Sequence, residues 1–191
     1  MAQTKFDICN RALVTVGATR IASFEDGSAE AIACAETYEP LAEHHLAAHR
    51  WRFAAEQALL ARRDDIPADT RWTYAWQLPS GLLALHGVSR HGRPIAYDRL
   101  GDVIVANAAA DAPLIATYTW RVPEARWAPS FREAFTVSLA AAFALILREN
   151  AKLADTLHAK AEGLFGLART ADSQQQTARR MPLGRLIAVR R

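Results

Sequence analysis

The chain has 191 residues, 51% of them hydrophobic and 23% charged, with a formal net charge of +3. That length fits a single domain and supplies ample apolar material for one core, while no apolar run of the ~18 or more residues needed to span a bilayer stands out. The opening Met1-Ala2-Gln3-Thr4-Lys5 carries no apolar signal core, so the expectation is a soluble protein made in the cytoplasm, without membrane contact.

The first helix is predicted over about residues 4–16. Thr4 is a good N-cap, because its hydroxyl can accept from an otherwise unpaired amide of the first turn. Phe6, Cys9, Leu13 and Val16 follow at helical spacing, and Gly17 supplies the stop. Cys9 and Cys34, the two cysteines, each sit in an apolar helical pattern where a thiol behaves as a small buried hydrophobe, and a disulfide is not expected.

Ile21 to Phe24 form a short apolar link into the turn Glu25-Asp26-Gly27. Ser28 then caps a second helix predicted over about residues 28–50, with Ala31, Ala35, Tyr38, Leu41 or Ala42, and His45 on one face. Pro40 falls inside it and is expected to kink or interrupt it. His45 and His49 stand four apart on that helix, a legitimate metal-ligand spacing. The zinc-protease pattern fails, since Leu46 stands where a glutamate is needed, and buried or interfacial histidines are the simpler reading, with a pH-sensitive contact as a third.

Residues 51–62 read two ways. Trp51, Phe53 and Ala55 alternate as in a strand, yet the run that follows is good helix material. The stretch 62–69 reads as an exposed loop. Strands are predicted at about 71–78, 82–88, 94–97, 102–106 and 113–120, separated by Pro79-Ser80-Gly81, His91-Gly92, Asp98-Arg99-Leu100-Gly101 and Asp111-Ala112-Pro113. Connections this short imply antiparallel pairing. Trp72, Tyr74, Trp76 and Leu78 recur with period two, which places them on one face of a half-buried strand. They could stack single-stranded nucleic acid, but no Lys or Arg alternates with the rings to follow phosphates.

The last third returns to helix. Ser130-Phe131-Arg132-Glu133 has the capping-box pattern and opens a helix over about 130–148 that is apolar almost all round, suited to the centre of a bundle or a subunit contact. Asn150 can cap a final helix over about 151–172, with Leu153, Leu157, Ala161, Leu164 and Ala168 on its stripe.

No nucleophile elbow, phosphate loop or dinucleotide fingerprint occurs. The carboxylates of Glu25, Asp26, Asp64 and Asp65 lie in turn-rich loops, with no apolar pocket in view to raise one of them to an acid catalyst's pKa. No catalytic residue, cofactor or metal site is expected.

The remaining charge sits at the end of the chain. No acidic residue follows Asp172, whereas Arg179, Arg180, Arg185, Arg190 and Arg191 supply five positive charges, and subtracting them from +3 leaves the body at −2. A body that bound duplex would need a basic face. Met181, Leu183, Leu186, Ile187 and Val189 lie between the arginines, with Pro182 and Gly184 breaking any long helix. Ordering such an arm costs about 1–2 kcal/mol per residue in backbone entropy, more than its few aliphatics return at about 1.5–3 kcal/mol each. The arm therefore needs another molecule's surface.

The order of signatures supplies that molecule. Phe6 to Leu13, Val16-Gly17, Ile21 to Phe24, Asp26-Gly27-Ser28, His49-Arg50-Trp51-Arg52-Phe53-Ala54, Trp72 to Leu78 with Pro79, and Trp127-Ala128-Pro129-Ser130-Phe131 follow one another along roughly residues 4–175. That sequence resembles the head-to-tail adaptor of short-tailed bacteriophages, the family called tail tubular protein A or head-completion protein. The resemblance favours a strand at 51–62 and implies an α+β fold: an antiparallel helical bundle over 1–175, a small antiparallel β-region inserted at about 51–120, and an extended C-terminal arm over 176–191. It further implies a virion protein without enzymatic activity, assembled in the host cytoplasm. Such proteins form a ring, a dodecamer in similar adaptors, between the portal protein and the tail tube or nozzle, with DNA only as passing cargo.

Carried onto this chain, the portal contact falls on Arg179, Arg180, Met181, Leu183, Arg185, Leu186, Ile187, Val189, Arg190 and Arg191, with arginines meeting acidic groups and aliphatics filling grooves. A nucleic-acid-binding regulator using the basic arm is the alternative, and a virion-associated cell-wall hydrolase a third.

Overall fold

A computed structural model describes residues 4–64, 71–109, 111 and 113–175. The fold is α+β: helices from both ends of the chain pack together, and the strands between them form two small antiparallel sheets. The predicted arm at 176–191 lies outside the described residues.

Helix α1, Lys5–Thr15, begins at Thr4, whose hydroxyl accepts from the Asp7 amide while the Asp7 carboxylate accepts from the Thr4 amide. This reciprocal pairing holds the Asp7 carboxyl below the usual range. Gly17 ends the helical segment in the left-handed region at φ +70°. Arg148, just beyond α3, donates to the carbonyls of Val16 and Gly17, so the end of α1 is tied to the end of α3.

Helix α2, Ala29–Ala47, starts at Ser28, whose hydroxyl accepts from the Ala31 amide, and it runs on through Pro40 without a break in its assignment. Its buried residues are Ala31, Ala33, Cys34, Tyr38, Ala42 and Leu46, whereas Ala35 faces solvent, so the inward stripe is turned by about one residue from the predicted one.

Helix α3, Pro129–Ile146, departs from its predicted start. Its N-cap is Ala128, with no side-chain cap, and Pro129 occupies the first turn, where a residue without an amide hydrogen loses nothing. Ser130 therefore lies inside the helix and Glu133 is released to pair with Arg11 at 2.8 Å. By length and composition α3 could cross a membrane, contrary to expectation. Here eleven of its residues are buried, and it packs against α1, α2 and α4 as the central helix of the bundle. Helix α4, Ala151–Gln174, is capped by Asn150, which accepts from the Leu153 amide at 3.0 Å.

The bundle core is aromatic. Phe131 is fully buried and its ring meets those of Trp51, Phe53, Trp127 and Phe165 at 4.9–5.7 Å between centroids, mostly edge to face. Such pairs add about 0.5–1.5 kcal/mol each beyond burial.

Between α2 and the sheets the chain turns once: Arg52–Ala54 is a 3-10 turn, so the first strand opens at Ala55. The first sheet has the order β1-β8-β4-β5, from Ala55–Leu59, Leu114–Trp120, Leu82–Arg90 and Arg93–Pro94. The second has β2-β3-β7-β6, from Ala61–Arg63, Tyr74–Gln77, Val103–Ala106 and Asp98–Leu100. Leu60, between β1 and β2, is where the chain passes from one sheet to the other. Asp98–Leu100, read in the sequence as part of a turn, instead forms the edge strand β6 against β7.

Leu60, Trp76, Leu78, Ile104, Leu114, Ala116 and Tyr118 form the core shared by the two sheets. Trp72 does not join them. It precedes β3, so the period-two register does not reach it, and it packs with Ala75 and Val105 on the other face. Strand β3 is thus covered on both faces. On its other side the first sheet meets the bundle through Leu83, Trp120 and the linking residue Val122.

Candidate functional site

The residues proposed from the sequence to meet a portal, Arg179 to Arg191, lie outside the described residues. Their point of departure is described. Near the end of α4, Asp172 is buried and accepts from the Arg52 amide with both carboxylate oxygens, at 3.1 and 3.3 Å, while Arg52 Nε donates to the Asp172 carbonyl at 2.9 Å. His49 Nε2 lies 3.8 Å from the same carboxylate. The last helix is thereby fastened to the junction of bundle and sheets three residues before the described chain ends.

A second junction lies between α1, α2 and the segment before α3. Arg121 Nε donates to Glu39 at 3.0 Å and its Nη2 donates to Glu124 at 2.5 Å, while Lys5 donates to the other oxygen of Glu39. Partial burial opposes ionisation of Glu39, but the hydrogen bonds from Arg121 and Lys5 outweigh it and hold its carboxyl low. Tyr38 donates to Glu124 at 3.2 Å, and burial pushes its phenol well up. Beneath this network the thiols of Cys9 and Cys34 are buried and free. A hydrogen bond with Cys34, then burial, pushes the Cys9 thiol up, which suits an inert core thiol.

His45 and His49 do not converge on one point. His45 Nε2 makes a 2.9 Å hydrogen bond with Ser138 of α3, and its ring stacks on Phe165 at 4.2 Å, whereas His49 turns to Trp51 and Asp172. A cleft of about 310 Å³ opens here between α2, α3 and α4, lined by His44, His45, His158, Asp155 and Glu162 over a floor of small residues. Burial drives the His45 imidazole down to about 4, and the neighbouring His44, His158 and Arg169 add to the effect. Its ring is therefore neutral at pH 7. Among the described residues no group of three or more His, Cys, Asp or Glu is arranged to hold a metal ion.

Two of the loop carboxylates are engaged by residues two positions away. Asp26 accepts from the hydroxyl and amide of Ser28, which hold its carboxyl low, and Asp64 pairs with Arg62 at 2.8 Å in an exposed position. Asp65 lies outside the described residues. Asp172, Arg121, Glu124 and Ser138 escaped the sequence reading because each has a partner far away in the chain, Glu39 for Arg121 and Tyr38 for Glu124, although Arg121 and Glu124 also pair with each other three residues apart. Asp172 and Arg52 are 120 residues apart, and His45 and Ser138 are 93 apart.

Compared with protein-family models and with curated proteins, the chain matches none.

Proposed function

We propose that this protein is a head-to-tail adaptor of a short-tailed bacteriophage. It forms a ring between the portal and the tail tube or nozzle, lets DNA through without reading it, and catalyses no reaction. The observation that carries this reading is the placing of the basic, apolar arm: it follows directly from α4, whose end Asp172 fastens to the junction of bundle and sheets. Closing a ring makes each further arm insertion effectively intramolecular. Leu145 and Ile146 at the end of α3 and Leu167 on α4 are each more than half exposed, which suits contact between subunits of a ring.

Arg179 to Arg191 meet the portal in this reading, their arginines on acidic groups and Leu183, Leu186 and Ile187 in grooves. The test is analytical ultracentrifugation of the full chain and of a chain lacking residues 177–191, each alone and mixed with the portal protein of the same virion. The full chain assembles on the portal, and the truncated chain stays folded without docking. Docking by the truncated chain would overturn the portal assignment. Salt-dependent binding of duplex DNA by the full chain without portal would point to a nucleic-acid regulator.

A further inference from the structure

Away from the bundle, a small pocket opens between the segment before β3, the end of β4 and the segments that follow β5 and β7. It has a volume of about 220 Å³ and is lined by Trp72, Arg90, Ile95, Ala96, Asn107 and Ala108. Most of its polar groups are already engaged. Asn107 accepts from the amide and hydroxyl of Thr73 and donates to the Arg71 carbonyl, while Trp72 Nε1 donates to Asp98 at 2.7 Å.

Arg90 is the exception. Its Nε is buried with no hydrogen-bond partner, a state that costs free energy until an acceptor arrives. The hairpin that holds it sharpens the point. His91 and Gly92 both have positive φ, 49° and 75°, which makes the tight two-residue turn between β4 and β5. That turn sets Arg90 directly opposite Arg93 in the ladder. Directly opposed residues share a face, so two cations stand side by side where like charges destabilise a sheet. An unfilled buried donor and a like-charged pair both call for an anion.

We infer that the Trp72–Arg90 pocket binds a carboxylate: an aspartate or glutamate side chain of a partner protein, gripped by the Arg90 guanidinium with its methylenes against Trp72 and Ile95. The pocket is smaller than the ~300–1,000 Å³ usual for small-molecule and cofactor sites, so one side chain is the natural occupant. A guanidinium matches a planar carboxylate through two parallel hydrogen bonds. Asp98, held by the Trp72 indole and 3.5 Å from Arg71, brings a negative charge close by and so favours a monoanion over a phosphate dianion. The inference concerns the sheets alone and stands apart from the adaptor reading, which rests on the arm.

The test is NMR of the full chain labelled with ¹⁵N, titrated separately with N-acetyl-glutamate N-methylamide, its glutamine counterpart and inorganic phosphate. The glutamate probe should shift the Trp72 indole and Arg90 Nε–H resonances with a Kd on the order of 1 mM, and the glutamine probe should not. Arg90→Lys, which keeps the charge and loses the fork, should weaken binding by about tenfold, and Arg93→Gln should weaken it less. Equal binding of the two amides, tighter binding of phosphate, unchanged binding by Arg90→Lys, or no shift at 50-fold that concentration would each overturn the inference.

Discussion

Asp172, the last acidic residue of the chain, closes both its carboxylate oxygens on the backbone amide of Arg52, 120 residues earlier. The first residue of the 3-10 turn leading to the sheets and the end of α4 are thereby held as one corner. The carboxylate satisfies an amide at the head of that turn, and His49 and the Arg52 side chain complete the setting.

Replacing Asp172 with Ala removes the acceptor from a part-buried amide and should cost about 2–3 kcal/mol in urea denaturation. Asp172→Asn, which keeps one acceptor oxygen, should cost about half as much. Loss of protection at the Arg52 amide in hydrogen exchange should accompany the Ala variant and be smaller in the Asn variant.

The helix starts make a contrasting pair. Thr4 accepts a backbone hydrogen bond at the head of α1, so Thr4→Ala should lower stability by about 1 kcal/mol. Ser130 makes no cap because α3 begins at Pro129. Ser130→Ala should therefore stay within about 0.5 kcal/mol of the parent. A measured loss of a full cap's worth at Ser130 would mean that the helix begins two residues later, at Phe131.

Arg121 bridges Glu39 and Glu124, and a lysine cannot reach both with a planar fork. Arg121→Lys should cost about 1–3 kcal/mol. A double-mutant cycle with Glu124→Gln should return a larger coupling than one with Glu39→Gln, because the Glu124 side chain is 18% exposed and that of Glu39 44%.

The His45 imidazole has its pKa depressed from the ordinary 6.5 to about 4, so in the window between these values the unfolded chain takes up a proton that the folded chain refuses. Stability should accordingly fall as pH drops from 6.5 towards 4 and be insensitive to this group above 6.5. The loss is on the order of 2 kcal/mol at full extent, allowing for partial exposure to solvent. His45→Phe keeps a ring to stack on Phe165, and the Ser138 hydroxyl can turn back to the carbonyl one helical turn earlier. That variant should lose most of the decline below pH 6.5 and keep a smaller one from His86, whose imidazole is also held low by burial and by Arg50. An unchanged pH profile would remove His45 as its source.

Much of the architecture was legible in the residues. The caps at Thr4, Ser28 and Asn150 and the stop at Gly17 act within four residues of themselves, so their chemistry is complete in a short window of sequence. The antiparallel order of short strands followed from the spacing of turns such as His91-Gly92. Two local patterns misled. The capping-box spelling at Ser130 was outranked by Pro129, whose fixed φ suits the first helical position. The alternation through Trp72 ended one residue before β3, where Asn107 holds Thr73 by its amide and hydroxyl.

The sequence alone determined the four helices, most of the strands and their order, the near-neutral body and the basic arm, because composition, periodicity and capping are short-range properties, but it left 51–62 open and read strand β6 as a turn. The tertiary structure decided the rest: that Asp172 meets Arg52, that Arg121 bridges two glutamates, that His45 turns to Ser138 while His49 turns away, and that Arg90 Nε is buried without an acceptor in a pocket shared with Trp72. Apart from Arg121 with Glu124, three residues on, these are relations between residues remote in the chain. Their free energy exists only after the backbone has closed the loops between them, so no window of sequence contains them.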